Sequence, residues 1–186
     1  VAAGILCMNR LSAEAAGEQT GQEQSAETQD ESIAAQEETA QPVAVQSGTC
    51  GENVTWTFDE KNGTLTISGS GEMSDMVWDG NMWIYNKPWE AFQNEIKSVK
   101  IEEGITGINS HAFADCGNLT DVTFPESLLR IGLAAFSRCR SLEDVGFPGH
   151  LTNIGMYAFS ECGGLTDIVL PGNVAVDWNA FSECGN

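Results

Sequence analysis

Leu119–Ser141 reads LTDVTFPESLLRIGLAAFSRCRS, and Leu142–Gly164 follows as LEDVGFPGHLTNIGMYAFSECGG. Laid over one another, the two stretches share columns of Leu, Val, Phe, Pro, Leu, Ile, Gly, Ala-Phe and Cys. Ile96–Asn118 extends the alignment upstream and Leu165–Asn186 downstream. Ala-Phe therefore recurs at 112–113, 135–136, 158–159 and 180–181, in steps of 23, 23 and 22 residues, with a Cys three residues after each Phe. A fixed period of this size marks a chain of stacked units, a solenoid, rather than one closed core.

Each column has a physical reason. Val122 and Phe124 are two apart and share one face of a short strand, with Thr123 turned outward. Pro125, Pro148 and Pro171 lack a backbone donor and end that strand. Gly132 and Gly155 suit a turn with positive φ, which Asn109 and Asp177 in the same column tolerate better than most residues. Phe136 and Cys139 are three apart, which suits one face of a helical turn that Ala135 lets approach closely. The one-residue deletion in the last unit falls between Val174 and Val176. The expectation is an α/β solenoid of ~23-residue repeats (96–118, 119–141, 142–164, 165–186). No single unit buries enough to fold alone, so stability must come from stacking. The chain ends at Asn186 where the next Leu would fall, so the array is expected to continue.

Upstream, Val54–Phe58 and Thr64–Ser68 alternate around an Asn62-Gly63 turn signal, which predicts a β-hairpin. Residues 72–94 read as a loop leading into a short helix, rich in Met and Trp and carrying Pro88-Trp89 and Phe92. Residues 49–95 together form a hydrophobic, non-repeating unit suited to cap the first rung. Residues 16–48 hold seven acidic residues, no Lys or Arg and no aromatic residue. Such a stretch cannot offset its chain entropy by burial and is expected to be a disordered, self-repelling linker. Residues 1–15 are mostly small and apolar before Ala13-Glu14-Ala15, as in the tail of a secretory signal peptide.

The 186 residues carry a formal net charge of -19, with only eight Lys and Arg. That balance excludes general affinity for nucleic acid or anionic lipid. No apolar run is long enough to span a bilayer, so no membrane insertion is expected after signal cleavage.

The repeat L-x-x-V-x-F-P-x-x-L-x-x-I-G-x-x-A-F-x-x-C-x-x resembles the BspA-type leucine-rich repeats of many secreted and surface proteins of bacteria. The resemblance covers about 49–186, since the hairpin and Pro88-Trp89 are similar to the cap that often precedes such arrays. It implies a leucine-rich-repeat solenoid with a parallel sheet along one face. It also implies a secreted or cell-surface location and roles in adhesion or in binding host and matrix proteins, although fold alone does not assign function.

Chemistry beyond binding has little support in the residues. His111 and His150 are 39 apart and out of register, both are expected to face solvent, and no hydrolase, P-loop, metalloprotease or dinucleotide motif occurs. The cysteine column stacks parallel thiols that cannot wrap one metal ion, so a free, buried column is expected, with no metal and no cofactor. Outward positions of the strand column are Thr120, Asp121 and Thr123, then Glu143 and Asp144, then Thr166 and Asp167. The aspartates repeat every 23 residues. Such a row is a solvated face, a cation ladder, or a surface for a hydrogen-bonding or basic partner. Trp78, Trp83 and Tyr85 either fold onto the cap or form a platform for sugar rings. The functional expectation is a non-enzymatic, monomeric module that binds an extracellular protein or glycan. A targeting or spacer segment of a larger exported enzyme is the alternative.

Overall fold

Alternation of apolar and polar side chains builds the first strands. In the computed structural model, which describes residues 45–78 and 80–185, strands β1 (Val45–Thr49), β2 (Val54–Asp59) and β3 (Thr64–Gly69) form an antiparallel meander. On β2, Val54, Trp56 and Phe58 are buried while Thr55 and Thr57 are exposed. The connecting turn is held by Asp59, whose carboxylate accepts from Lys61 N at 3.0 Å and Asn62 Nδ2 at 2.7 Å. Gly63 closes it at φ 68°, a conformation that glycine adopts at no steric cost. Strand β1 corrects the expected start of order at Thr49. Its residues are mostly exposed and carry no apolar alternation, so only pairing with β2 makes them a strand. The expected linker before it and the signal-peptide stretch lie, up to residue 44, outside the described residues.

The chain continues through β4 (Gly71–Glu72), a second hairpin of β5 (Met76–Trp78) and β6 (Trp83–Tyr85), and a short 3₁₀ segment at Glu90–Glu95. The second hairpin replaces the loop expected here. Strands of three residues are too short to show a period, and their pairing is visible only in the fold. The next three units each contribute a pair of short strands, β7 (Ser98–Ile101) and β8 (Ile105–Ile108), then β9 (Asp121–Thr123) and β10 (Arg130–Ile131), then β11 (Asp144–Val145) and β12 (Asn153–Ile154), and the last contributes β13 (Ala175–Val176) alone.

These strands sort into two ladders. The first runs β1-β2-β3-β7-β9-β11 and is parallel from β3 onward, so the hairpin is the opening of the same sheet as the repeats. The second runs β4-β8-β10-β12-β13 and is parallel throughout. Residues pair with their own column: Val99 with Val122 and Val122 with Val145, Ile108 with Ile131 and Ile131 with Ile154. The sequence columns are thus the rungs of a hydrogen-bonded stack.

The Ala-Phe segments differ from the expected helical turn, and the described residues contain no α-helix. Two left-handed residues flank each segment: His111 and Asp115, Ala134 and Arg138, Tyr157 and Glu161, Asn179 and Glu183, with φ between 49° and 63°. Reversing the backbone twice turns alternate N–H groups along the stack. Phe113 N donates to Ala135 O at 2.7 Å, and His111 N and Asp115 N donate to Leu133 O and Ser137 O. Arg138 N does the same to Ser160 O, and Phe159 N to Ala180 O. A helix would satisfy these groups within one rung and lose the tie to the next.

Gly132 also differs from expectation, since neither it nor Asn109 has positive φ. A Cβ on Gly132 would lie 2.8 Å from Asn109 C and Ser110 N, and one on Gly155 would lie 2.8 Å from Gly132 C. Glycine is there because the backbones of adjacent rungs touch.

One column of rings runs through the core. Trp89, Phe113, Phe136, Phe159 and Phe181 stack with centroids 5.3, 5.0, 5.1 and 5.3 Å apart. Trp89 is fully buried and its Nε1 donates to Ala112 O at 2.8 Å. It caps the phenylalanine column from the N-terminal side, while Trp56 meets it edge-on at 6.1 Å. The cysteines fill the neighbouring slot and are free thiols. Cys139 Sγ donates to Phe113 O at 3.2 Å and Cys162 Sγ to Phe136 O at 3.1 Å, each reaching back one rung.

Candidate functional site

The outward side of the first ladder carries Thr120, Asp121, Thr123, Glu143, Asp144, Thr166 and Asp167, all of them exposed. They lie between the buried positions Leu119, Val122, Leu142, Val145 and Leu165. Asp121 and Asp144 are direct register partners, and Ser98 and Thr64 continue the row toward the hairpin. Asp167 lies past the last paired strand of this ladder. Thr120 is partly committed to structure, because its Oγ1 donates to Lys97 O at 3.1 Å. Lys100 stands beside Thr123 in register and pairs with Glu102 at 3.0 Å. Glu102, held also by the Ser68 hydroxyl at 2.9 Å, keeps its carboxyl below the usual range through these two hydrogen bonds. The row is rich in acceptors, and Asp121 and Asp144 stand side by side in it.

The second ladder carries a concavity that sequence reasoning missed. A groove of about 1020 Å³ lies between the segment Ser70–Met76 and strands β8, β10 and β12. Glu52, Glu72, Asp75 and Asp177 line it, against a single cation, Arg130, which is already paired with Glu72. Leu133 and Met156 supply exposed apolar edges. Gly107, Gly132 and Gly155 are also in its lining. Asn109, also in the lining, is 3 % exposed. Its Nδ2 donates to Ser74 O at 2.8 Å and Asn86 O at 3.0 Å, while Oδ1 accepts no hydrogen bond.

Of the cap aromatics, Trp78 and Trp83 are Cα partners across the second hairpin. Tyr85 is exposed and its ring lies 4.3 Å from that of His111. His111 is therefore half-buried rather than open to solvent as expected, because the hairpin folds over it. Burial first, then the charges of Lys87 and Arg138, pull its imidazole below the ordinary value. His150 is exposed. Among the described residues no three His, Cys, Asp or Glu side chains converge on a metal position.

Burial pushes the Cys50 and Cys116 thiols up to about 12. The Cys139 thiol is also raised, through its contact with Cys162 and its burial. Among the described cysteines only Cys184 is less enclosed. Since the thiolate is the nucleophile, alkylation of the native chain with iodoacetamide at pH 8 is expected to mark Cys184 well before Cys50, Cys116, Cys139 or Cys162. Peptide mass mapping over time checks this, and equal labelling of Cys116 and Cys184 would contradict the packing.

The two parallel ladders, the ring column and the in-register Leu, Val and Ile pairs coincide with a family model for the BspA type leucine rich repeat region, matched in six copies over residues 88–186. The chain belongs to this BspA-type leucine-rich-repeat family. The match begins at Pro88, inside the segment first read as a non-repeating cap, in keeping with Trp89 standing in the phenylalanine column. The repeat chain is similar to a leucine-rich repeat protein from Eubacterium ventriosum (23 % identity, TM-score 0.49, 73 % of this chain and 45 % of that one). It is also similar to a leucine-rich repeat protein of T. pallidum (27 %, 0.49, 68 % and 63 %) and to a leucine rich cell surface protein from Faecalibacterium prausnitzii (23 %, 0.41, 75 % and 46 %). The chain thus spans about half to two thirds of the length of these proteins. No curated protein matches it. Among the described residues no helix is long and apolar enough to cross a membrane.

Proposed function

We propose that the chain is a non-enzymatic, monomeric recognition module of an exported bacterial protein, binding a protein or glycan over the outward face of its first ladder. Residues 1–15 act as the end of an export signal, and the acidic stretch after them is a spacer that holds the module away from its attachment point. From the hairpin onward the module is a solenoid of ~23-residue rungs. Membership of the BspA-type family supports the interaction role. The observation that carries the choice of face is the register pairing of Asp121 with Asp144, inside a row of seven exposed polar side chains of which Asp121, Thr123 and Asp144 lie on paired strands. A surface of this kind spreads affinity over several rungs instead of concentrating it in one pocket.

The test is a binding screen of the chain against immobilised extracellular-matrix proteins and glycans. Binding weakened several-fold by Asp144→Ala or Glu143→Ala, with the melting temperature unchanged, supports recognition on this face. A hit weakened only by Trp83→Ala moves recognition to the second hairpin. The absence of any ligand leaves the targeting or spacer role in a larger exported enzyme as the better description.

A further inference from the structure

The groove on the second ladder is independent of the row just described, and its chemistry differs. Four carboxylates face it, and its one guanidinium is neutralised by Glu72. That excess of negative charge repels phosphates, sulfates and acidic polymers. It attracts a ligand with exposed ammonium or guanidinium groups, the more so because the field of the chain has the same sign. Leu133 and Met156 form an apolar strip beside the charges, 37 % and 43 % exposed. Met adapts to varied aliphatic shapes. Asn109 adds the second sign of an unfilled site. It is almost wholly buried, its amide nitrogen is held by two carbonyls, and its oxygen stays without a donor, a state that natural interiors seldom leave uncorrected.

We propose that this groove docks an extended basic polypeptide segment, with Lys or Arg side chains set against Glu52, Asp75 and Asp177 and an aliphatic side chain on Leu133 and Met156. A glycan would satisfy the acceptors but would make no use of the net charge. A bare divalent cation would make no use of the apolar strip.

The test uses the full chain and a labelled short peptide alternating Lys and Leu, with a Glu and Leu peptide of equal length as the opposite charge, read by fluorescence anisotropy. Binding of the first and not of the second is expected, falling as salt is raised, because exposed charges are screened within about 8 Å at physiological ionic strength. Met156→Lys and Asp177→Lys each weaken it by about tenfold or more, while Asp144→Lys on the first ladder leaves it within about twofold. Met156 and Asp177 are exposed, so these variants are expected to keep the circular dichroism spectrum of the parent. Met156→Leu, which keeps the apolar edge, restores binding and separates loss of the site from loss of the fold. The proposal fails if the Lys peptide does not bind, or if Asp144→Lys weakens it as much as Met156→Lys, which would reveal diffuse charge attraction. It also fails if neutral oligosaccharides bind the groove more tightly than the peptide.

Discussion

Phe136→Ala is expected to destabilise the folded unit by about 3–5 kcal/mol, the usual range for deleting a fully buried phenyl ring. Phe136 is completely enclosed, stacked 5.0 Å from Phe113 and 5.1 Å from Phe159, with Phe124 edge-on at 5.7 Å. The loss is expected at the high end. The ring is the middle of a five-membered column, and its removal leaves a gap that neither neighbour can close without breaking the backbone bonds at 2.7 Å that join Phe113 to Ala135 and Phe136 to Ala158. Because stability in such arrays is shared between adjacent rungs, the broken contact is also expected to split a single unfolding transition into two. Urea unfolding followed by far-ultraviolet circular dichroism checks both. A loss below about 1 kcal/mol with one sharp transition would show that the rings do not carry the stack.

Gly132→Ala is expected to be nearly as damaging, although it adds only one methyl group. The new Cβ would sit 2.8 Å from Asn109 C and Ser110 N and 2.9 Å from Ile108 O. All three are main-chain atoms and none can swing aside. Relief requires separating β10 from β8, against the Gly132 N to Ile108 O bond at 2.9 Å and the pairing of Ile131 with Ile108. Overpacking of this kind costs about 1–3 kcal/mol and sometimes more. Gly117→Ala is the matched control: nothing lies within 4 Å of the added carbon and its φ is ordinary, so a change within about 0.5 kcal/mol is expected. Thermal unfolding of the two variants side by side checks this. Equal melting temperatures would mean that adjacent rungs do not touch at this column.

Most of the stack was legible because its determinants are periodic. Leu119, Val122, Phe124, Leu128 and Ile131 recur at one spacing, and through the first three units each proved to be a buried or half-buried column, those of Val122 and Ile131 in parallel register. The hairpin was equally clear, since Val54, Trp56 and Phe58 alternate and Asn62-Gly63 marks the turn. What escaped the sequence was decided between rungs. The left-handed backbone at Ala134 and Tyr157 has no compositional sign, because neither residue favours it. It is imposed by the forward hydrogen bonds to the next rung. The same Phe-to-Cys spacing fits a helical turn and this double turn alike. Gly132 suits a positive-φ turn in the sequence, but the reason for it is close contact between rungs rather than φ, and both reasons read the same in a sequence. The Met76–Trp78 and Trp83–Tyr85 strands were too short to show alternation, and β1 carries no apolar pattern at all.

For the surfaces, the outward row could be named in advance because it is whatever lies between the buried positions of the repeat. The groove could not, since it brings Glu52, Asp75 and Asn109 together with Asp177 from the far end of the array. Distance along the chain hid that convergence. The acidic balance of the whole chain was visible from the first, and it is the property that both surfaces share.

The most direct test of recognition along the stacked row is a titration of one ligand, found in the matrix and glycan screen, against the parent chain, the single variants Asp121→Ala, Asp144→Ala and Asp167→Ala, and the triple variant. If affinity is spread along the row, each single change costs about 0.5–1 kcal/mol, and the triple change costs roughly their sum, as expected for separate contacts. Loss of all binding through one aspartate, or a triple variant that binds like the parent, would contradict it.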